Sequence, residues 1–191
     1  MHPWLNWIEH RPPKAGIARS NRAGCARINI SLYKKTVMAK LFLICGFLGA
    51  GKTTVSKRLA KEYDAEYMNV DSHVMRIFAP SEYENNWEKC FATAAEHLWQ
   101  QIQQCAAINR NVVFDVGFWT RKSRDIARQR AMNIGMQPVL YYVYAPDAIL
   151  KQRIAMRPGK IAENNIKKFD SIRKMFEEPQ ADEEFVRIDN F

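Results

Sequence analysis

The stretch Gly46-Phe47-Leu48-Gly49-Ala50-Gly51-Lys52-Thr53 constrains this chain more than any other feature. It satisfies the pattern G-x-x-x-x-G-K-[ST] in full. The apolar run Leu41–Cys45 precedes it and is long enough for one buried strand; Thr53–Ala60 follows and reads as a helix. Strand, glycine-rich loop and helix form the setting in which such a loop binds phosphate. The glycines let the backbone approach an anion closely, and the N–H groups at the helix start point at it from the positive end of the helix dipole. Nucleotide contacts are expected from Gly46 through Thr54, with Lys52 reaching the outer phosphates and Thr53 holding a magnesium ion. The loop alone does not say what becomes of the nucleotide.

Charge narrows the choice of partners. The chain has 191 residues and a net charge of +9, but residues 1–37 carry seven basic residues against Glu9 alone. That segment therefore holds +6, leaving only +3 for the remainder. It has no strand or helix periodicity and is interrupted by Pro3, Pro12 and Pro13, so it reads as a disordered basic extension. Three origins fit it: an organelle-targeting peptide, a basic arm for nucleic acid, or an upstream reading with Met38 as the true start. A domain is expected over residues 38–191. The longest uncharged apolar run, Leu41–Gly51, is too short to span a bilayer, which takes about 20 residues. With no apolar signal segment and no C-x-x-C spacing among Cys25, Cys45, Cys90 and Cys105, the chain is expected in a reducing cytoplasm.

Further apolar runs set the class. Strands are expected at 41–45, 66–70, 111–117, 139–144 and 185–189. Helices are expected between them at 53–60, 74–78, 87–104, 121–133, 147–156 and 166–176. Pro80 stops the second helix, Thr120 caps the fourth and Gly135 lies just past its end. Alternation of this kind predicts an α/β fold with a mostly parallel sheet covered by helices on both faces, and ligands outside the carboxyl ends of the strands. Three strand tips then converge: the loop, Asp71 and Asp115.

Lysine, threonine and two aspartates at converging strand tips describe phosphoryl transfer, which needs positioning and charge neutralisation more than covalent chemistry. Asp115 is the candidate second magnesium residue; its other reading is a turn cap near Gly117. Asp71 is the candidate general base; its other reading is an N-cap for a helix opening at Ser72. Arg153 and Arg157 lie four apart on one helix face, before Pro158-Gly159-Lys160, as a lid closing over phosphates would have them. Arg121 and Arg124 are candidates for holding acceptor or phosphate, or for surface ion pairs. Phe118 and Trp119 are read as core packing or as a wall against a planar acceptor, His73 as structural. The acids Glu177, Glu178, Glu183 and Glu184 are read as a solvated face.

Taken together, G-F-L-G-A-G-K-T, N-V-D-S, V-V-F-D-V-G-F-W-T-R-K-S-R, L-K-Q-R-I-A-M-R and M-F-E-E-P resemble the small ATP-binding kinases of the P-loop superfamily. The resemblance covers about residues 38–189. It is nearest to the zeta-toxin, chloramphenicol-phosphotransferase and polynucleotide-5′-hydroxyl-kinase-like ATPases. It implies a three-layer P-loop NTPase fold with strand order 2-3-1-4-5 and an ATP·Mg²⁺ site. It also implies Asp71 as base, and Arg153 and Arg157 as lid arginines. Polynucleotide kinases of this kind carry an arginine three residues past the base; Val74 stands there, and Pro158 follows Arg157 where such lids often have asparagine. A small hydroxyl-bearing acceptor is the first expectation. Alternatives are a 5′-hydroxyl of a nucleic acid, or a nucleotide switch with slow hydrolysis and no acceptor. No N-K-x-D guanine signature is present, which favours ATP over GTP.

Overall fold

The computed structural model describes residues 38–158 and 160–191. The basic extension at 1–37, with Cys25, and the glycine of the Pro158-Gly159-Lys160 connector lie outside the described residues. Five strands alternate with eight helices among these residues. They are β1 (Lys40–Cys45), α1 (Lys52–Glu62), β2 (Glu66–Asn69), α2 (Val70–Ile77), α3 (Pro80–Asn85), α4 (Trp87–Ala107) and β3 (Val112–Gly117). Then come α5 (Arg121–Asn133), β4 (Gln137–Tyr144), α6 (Asp147–Ala155), α7 (Lys160–Lys167), α8 (Phe169–Arg173) and β5 (Val186–Asp189). The sheet order is β2-β3-β1-β4-β5, and every pairing is parallel.

The central strand β1 explains the arrangement. Leu41, Phe42, Leu43 and Ile44 are at most 1% exposed, so both faces of the strand are covered. A near-continuous apolar strand is what a parallel sheet requires when helices pack on each side. Phe114 on β3 and Val143 on β4 extend this layer, while Phe91, Leu98 and Ile102 of α4 close it. All carboxyl ends point one way, and β1 delivers the glycine-rich loop to the middle of that edge.

Local sequence accounts for most boundaries, including some that differ from expectation. Strand β2 stops at Asn69 rather than 70, because the Asn69 side chain accepts from Ser72 N at 2.8 Å and caps α2. Asp71 therefore sits in the first turn of α2, and the capping duty belongs to Asn69. Pro80 does end α2, but it also opens the unforeseen α3 from its first helical position, where the missing N–H costs nothing. The helix expected over 166–176 is instead two pieces. The chain re-aims at Lys168 (φ −103°, ψ 12°), and Phe169 and Phe176 pack edge-on against Phe47 of the loop. Thr120 caps α5 as expected, accepting from Ser123 N at 3.1 Å.

Candidate active site

The loop after β1 is shaped by contacts only glycine permits. A Cβ on Gly46 would lie 2.6 Å from the Val143 carbonyl oxygen of β4. At Gly51, whose φ is +91°, a Cβ would lie 2.1 Å from the Asn190 side-chain nitrogen. Gly46 N donates to Gly117 O at 3.2 Å, tying the loop to the tip of β3. Among the described residues, the amides of Gly49, Gly51, Lys52 and Thr53 donate to no backbone carbonyl. A turn of open N–H groups at a helix start is an anion cradle. Lys52 folds back over it, its amine donating to Phe47 O at 3.0 Å.

Beside the loop lies a cleft of about 120 Å³ lined by Leu48, Gly49, Lys52, Thr53, Asn69, Asp71, Asp115, Val116, Trp119 and Arg157. The tips of β1, β2 and β3 thus bring Lys52, Thr53, Asp71 and Asp115 together, and the segment just past α6 adds Arg157. Thr53 Oγ1 donates to Asp115 Oδ2 at 3.2 Å. Tyr67, from β2, donates its hydroxyl to the same oxygen at 3.3 Å. Burial and the adjoining Asp115 charge push the Tyr67 phenol up, so it remains a neutral donor. Hydroxyl and carboxylate oxygens are the hard donors magnesium takes, so Thr53 and Asp115 fit that ion. Neither cysteine nor histidine enters the cleft, and no group of three metal-binding His, Cys, Asp or Glu occurs among the described residues.

Electrostatics divides the polar residues by role. Asp71 opens into the cleft but is crowded by protein. Its carboxyl is pushed up to about 6: loss of water raises it most, the Asp115 charge raises it too, and Lys52 and Arg157 pull against them. Burial lowers the Lys52 ammonium against the opposing pull of Asp115 and Asp71. A carboxylate with a raised pKa lining the cleft is suited to accept a proton near neutral pH.

Not every expected residue lands here. Arg121 and Arg124, expected as acceptor or phosphate ligands, do not line the cleft. Arg124 is fully buried, forked onto Glu183 with Nε–Oε2 at 2.8 Å, and donates to Phe118 O at 3.3 Å and Glu177 O at 2.8 Å. Arg121 pairs with Asp125 and Asp182 at 3.0 Å each. Both arginines fasten the 177–184 segment to α5, and Glu183, read as solvated, is 6% exposed. Burial opposes the Glu183 charge, yet the hydrogen bonds and charge of Arg124 hold its carboxyl below the usual range. Arg153 also stays outside the cleft lining. Its Nη1 donates to Asn190 O at 2.9 Å and Gly49 O at 3.4 Å, behind the loop it was expected to face. Phe118 is core, whereas Trp119, though 8% exposed, does line the cleft. Asn69 and Tyr67 were not anticipated.

A parallel 2-3-1-4-5 sheet with a phosphate loop on its central strand defines a P-loop nucleotide-binding protein. Residues 41–179 match the AAA domain family AAA_33, so the chain belongs to that family. A shikimate kinase from Caldicellulosiruptor bescii is 28% identical over 117 residues, which are 59% of this chain and 63% of that relative. The chain thus spans less than two thirds of that relative's length. A sugar kinase structure from Janibacter sp. superposes with a TM-score of 0.59 at 18% identity, covering 80% of this chain and 86% of that one. The Mycobacterium tuberculosis APS kinase CysC gives 0.56 at 14% identity, covering 80% and 88%. These two likenesses establish the fold. Among the described residues, no helix is long and apolar enough to cross a membrane.

Proposed function

We propose that this protein is an ATP-dependent kinase that moves the γ-phosphoryl group of ATP to a hydroxyl of a small-molecule acceptor. The observation that carries this reading is the meeting of Lys52, Thr53, Asp115 and Asp71 in one cleft. A switch or slow hydrolase needs the first three but has no use for a base on the acceptor side. The shikimate kinase relative and the sugar and APS kinase folds support the same class.

The chemistry follows from the placement. The loop amides and Lys52 hold the phosphates. Thr53 and Asp115 would hold a magnesium ion, which would supply charge neutralisation to the phosphates. Asp71 accepts the acceptor's hydroxyl proton as the oxygen–phosphorus bond forms and the bond to ADP breaks. Arg157, at the mouth of the cleft, balances charge on the transferring group. Trp119 and Asn69 form the wall against which a small polyol packs and hydrogen-bonds.

The test is transfer of labelled γ-phosphate from ATP·Mg²⁺ to a panel of polyols, hydroxylated ring acids, antibiotics and 5′-hydroxyl oligonucleotides. The expected result is label in a small-molecule pool, abolished in Lys52→Ala. Label on oligonucleotide ends, weakening steeply with salt, would replace this reading with a polynucleotide 5′-hydroxyl kinase. ATP hydrolysis with no transfer to any acceptor would replace it with the switch.

A further inference from the structure

The tyrosine on β2 is not used by the chemistry above, yet it touches the residue expected to hold the cation. Strand β2 pairs with β3 so that Tyr67 stands opposite Val113 and Asn69 opposite Asp115. Residues two apart on a strand share a face. Tyr67, Asn69 and Asp115 therefore lie on one face, the face where α1 delivers Thr53. Two strand residues span roughly 6.6 Å, a gap that a tyrosine side chain bridges and a shorter polar residue does not. Its half-buried ring does so, and its hydroxyl ends 3.3 Å from Asp115 Oδ2. Asn69 Nδ2 donates to the Asp115 backbone oxygen at 3.3 Å. Strand β2 thus grips Asp115 twice, once by its side chain and once by its backbone.

The loop motif commits the Thr53 hydroxyl to the cation. Tyr67 is then the hydroxyl left to fix the orientation of the Asp115 carboxylate. We infer that Tyr67 is a positioning residue for the divalent cation, holding Asp115 by one oxygen so that the carboxylate meets the ion ready-oriented. This rests on the kinase reading for the presence of magnesium at Thr53 and Asp115. Partners that orient a metal ligand from behind are worth about 10–100-fold in metal affinity.

The experiment measures ATP binding by calorimetry, as magnesium is titrated and in excess chelator. It uses the full chain as wild type, Tyr67→Phe, Tyr67→Met, Asp115→Asn and Tyr67→Phe/Asp115→Asn. The expected result is a magnesium half-saturation raised about tenfold in both Tyr67 variants. Binding of metal-free ATP should stay within about twofold of wild type, and Tyr67→Phe should add nothing once Asp115 is asparagine. An unchanged magnesium titration, even with a lowered melting temperature, would reduce Tyr67 to packing and overturn the inference. So would an equal loss for metal-free and metal-bound ATP. A wild type indifferent to magnesium would instead overturn the kinase reading itself, so the two failures are distinguishable.

Discussion

Two clusters of charged residues lie near the carboxyl edge of the sheet, and they are built on opposite principles. In the cleft, Lys52, Asp71 and Arg157 face open space. Under α5, Arg124 and Glu183 are sealed from water, and the Arg124 fork is shared among the Glu183 carboxylate and the Phe118 and Glu177 carbonyls. The second cluster spends its polar capacity on fastening the chain. The first keeps its capacity available for a ligand. Strain follows the division too: Gly117 and Phe118, at φ +102° and +39°, form the turn between the two clusters, and Arg124 holds its carbonyl in place.

One substitution in each cluster, read by both activity and stability, separates the two roles. Asp71→Asn should lower the transfer rate by about 10³-fold, within the range for loss of a general base, with circular dichroism unchanged. Arg124→Ala should do the reverse. Removing one partner of a buried ion pair costs about 3–5 kcal/mol, read as a lower denaturation midpoint. An apolar double replacement, Arg124→Met with Glu183→Leu, should recover only part of this, since the Phe118 and Glu177 carbonyls still lose their donor. If Arg124→Ala leaves stability intact but ablates transfer, the assignment of the two clusters is wrong.

Arg153 on α6 and Arg157, two residues past its last residue Ala155 rather than on the shared helix face expected, draw the same line on a smaller scale. Arg157 lines the cleft, whereas Arg153 binds the Gly49 and Asn190 carbonyls. Arg157→Ala should lower kcat by about 10²-fold, the typical cost of one charge-stabilising donor, and leave the melting temperature alone. Arg153→Ala should instead loosen the loop and appear mainly in the ATP KM. Equal effects on kcat would restore the expectation that both belong to one lid.

What the sequence made legible follows from how local each cause is. The loop, the tips of β1 and β3 and the Thr120 cap depend on residues within a few positions of one another, and the structure has them where the spacing predicts. The cap at Asn69 is equally local, since asparagine itself favours the N-cap position. The Arg124–Glu183 pair was not, because its partners are 59 residues apart. An arginine opening a helix looks the same whether it meets a phosphate or a buried glutamate. Tyr67 was hidden for another reason. An aromatic residue in a strand reads as packing until register places its hydroxyl against a carboxylate.

The smallest expected effects come from pH, and they join activity to stability at one residue. With the Asp71 carboxyl at about 6, the rate should climb through that pH and level off above about 7. At pH 5 about one carboxylate in ten is ionised, so the rate should be about tenfold below its plateau. For stability the sign is opposite. The folded pKa lies above the value of 3.8 for a free aspartate, so between these pH values the folded chain binds more protons than the unfolded one. This contribution is fully present below pH 3.8 and is lost as pH rises through about 6. At pH 7 to 8 the ionised carboxylate therefore costs stability, and Asp71→Asn should melt slightly higher than wild type while being nearly inactive. Near pH 4 the difference should vanish. A melting temperature lowered by Asp71→Asn at pH 8 would place Asp71 with the fastening cluster rather than the working one.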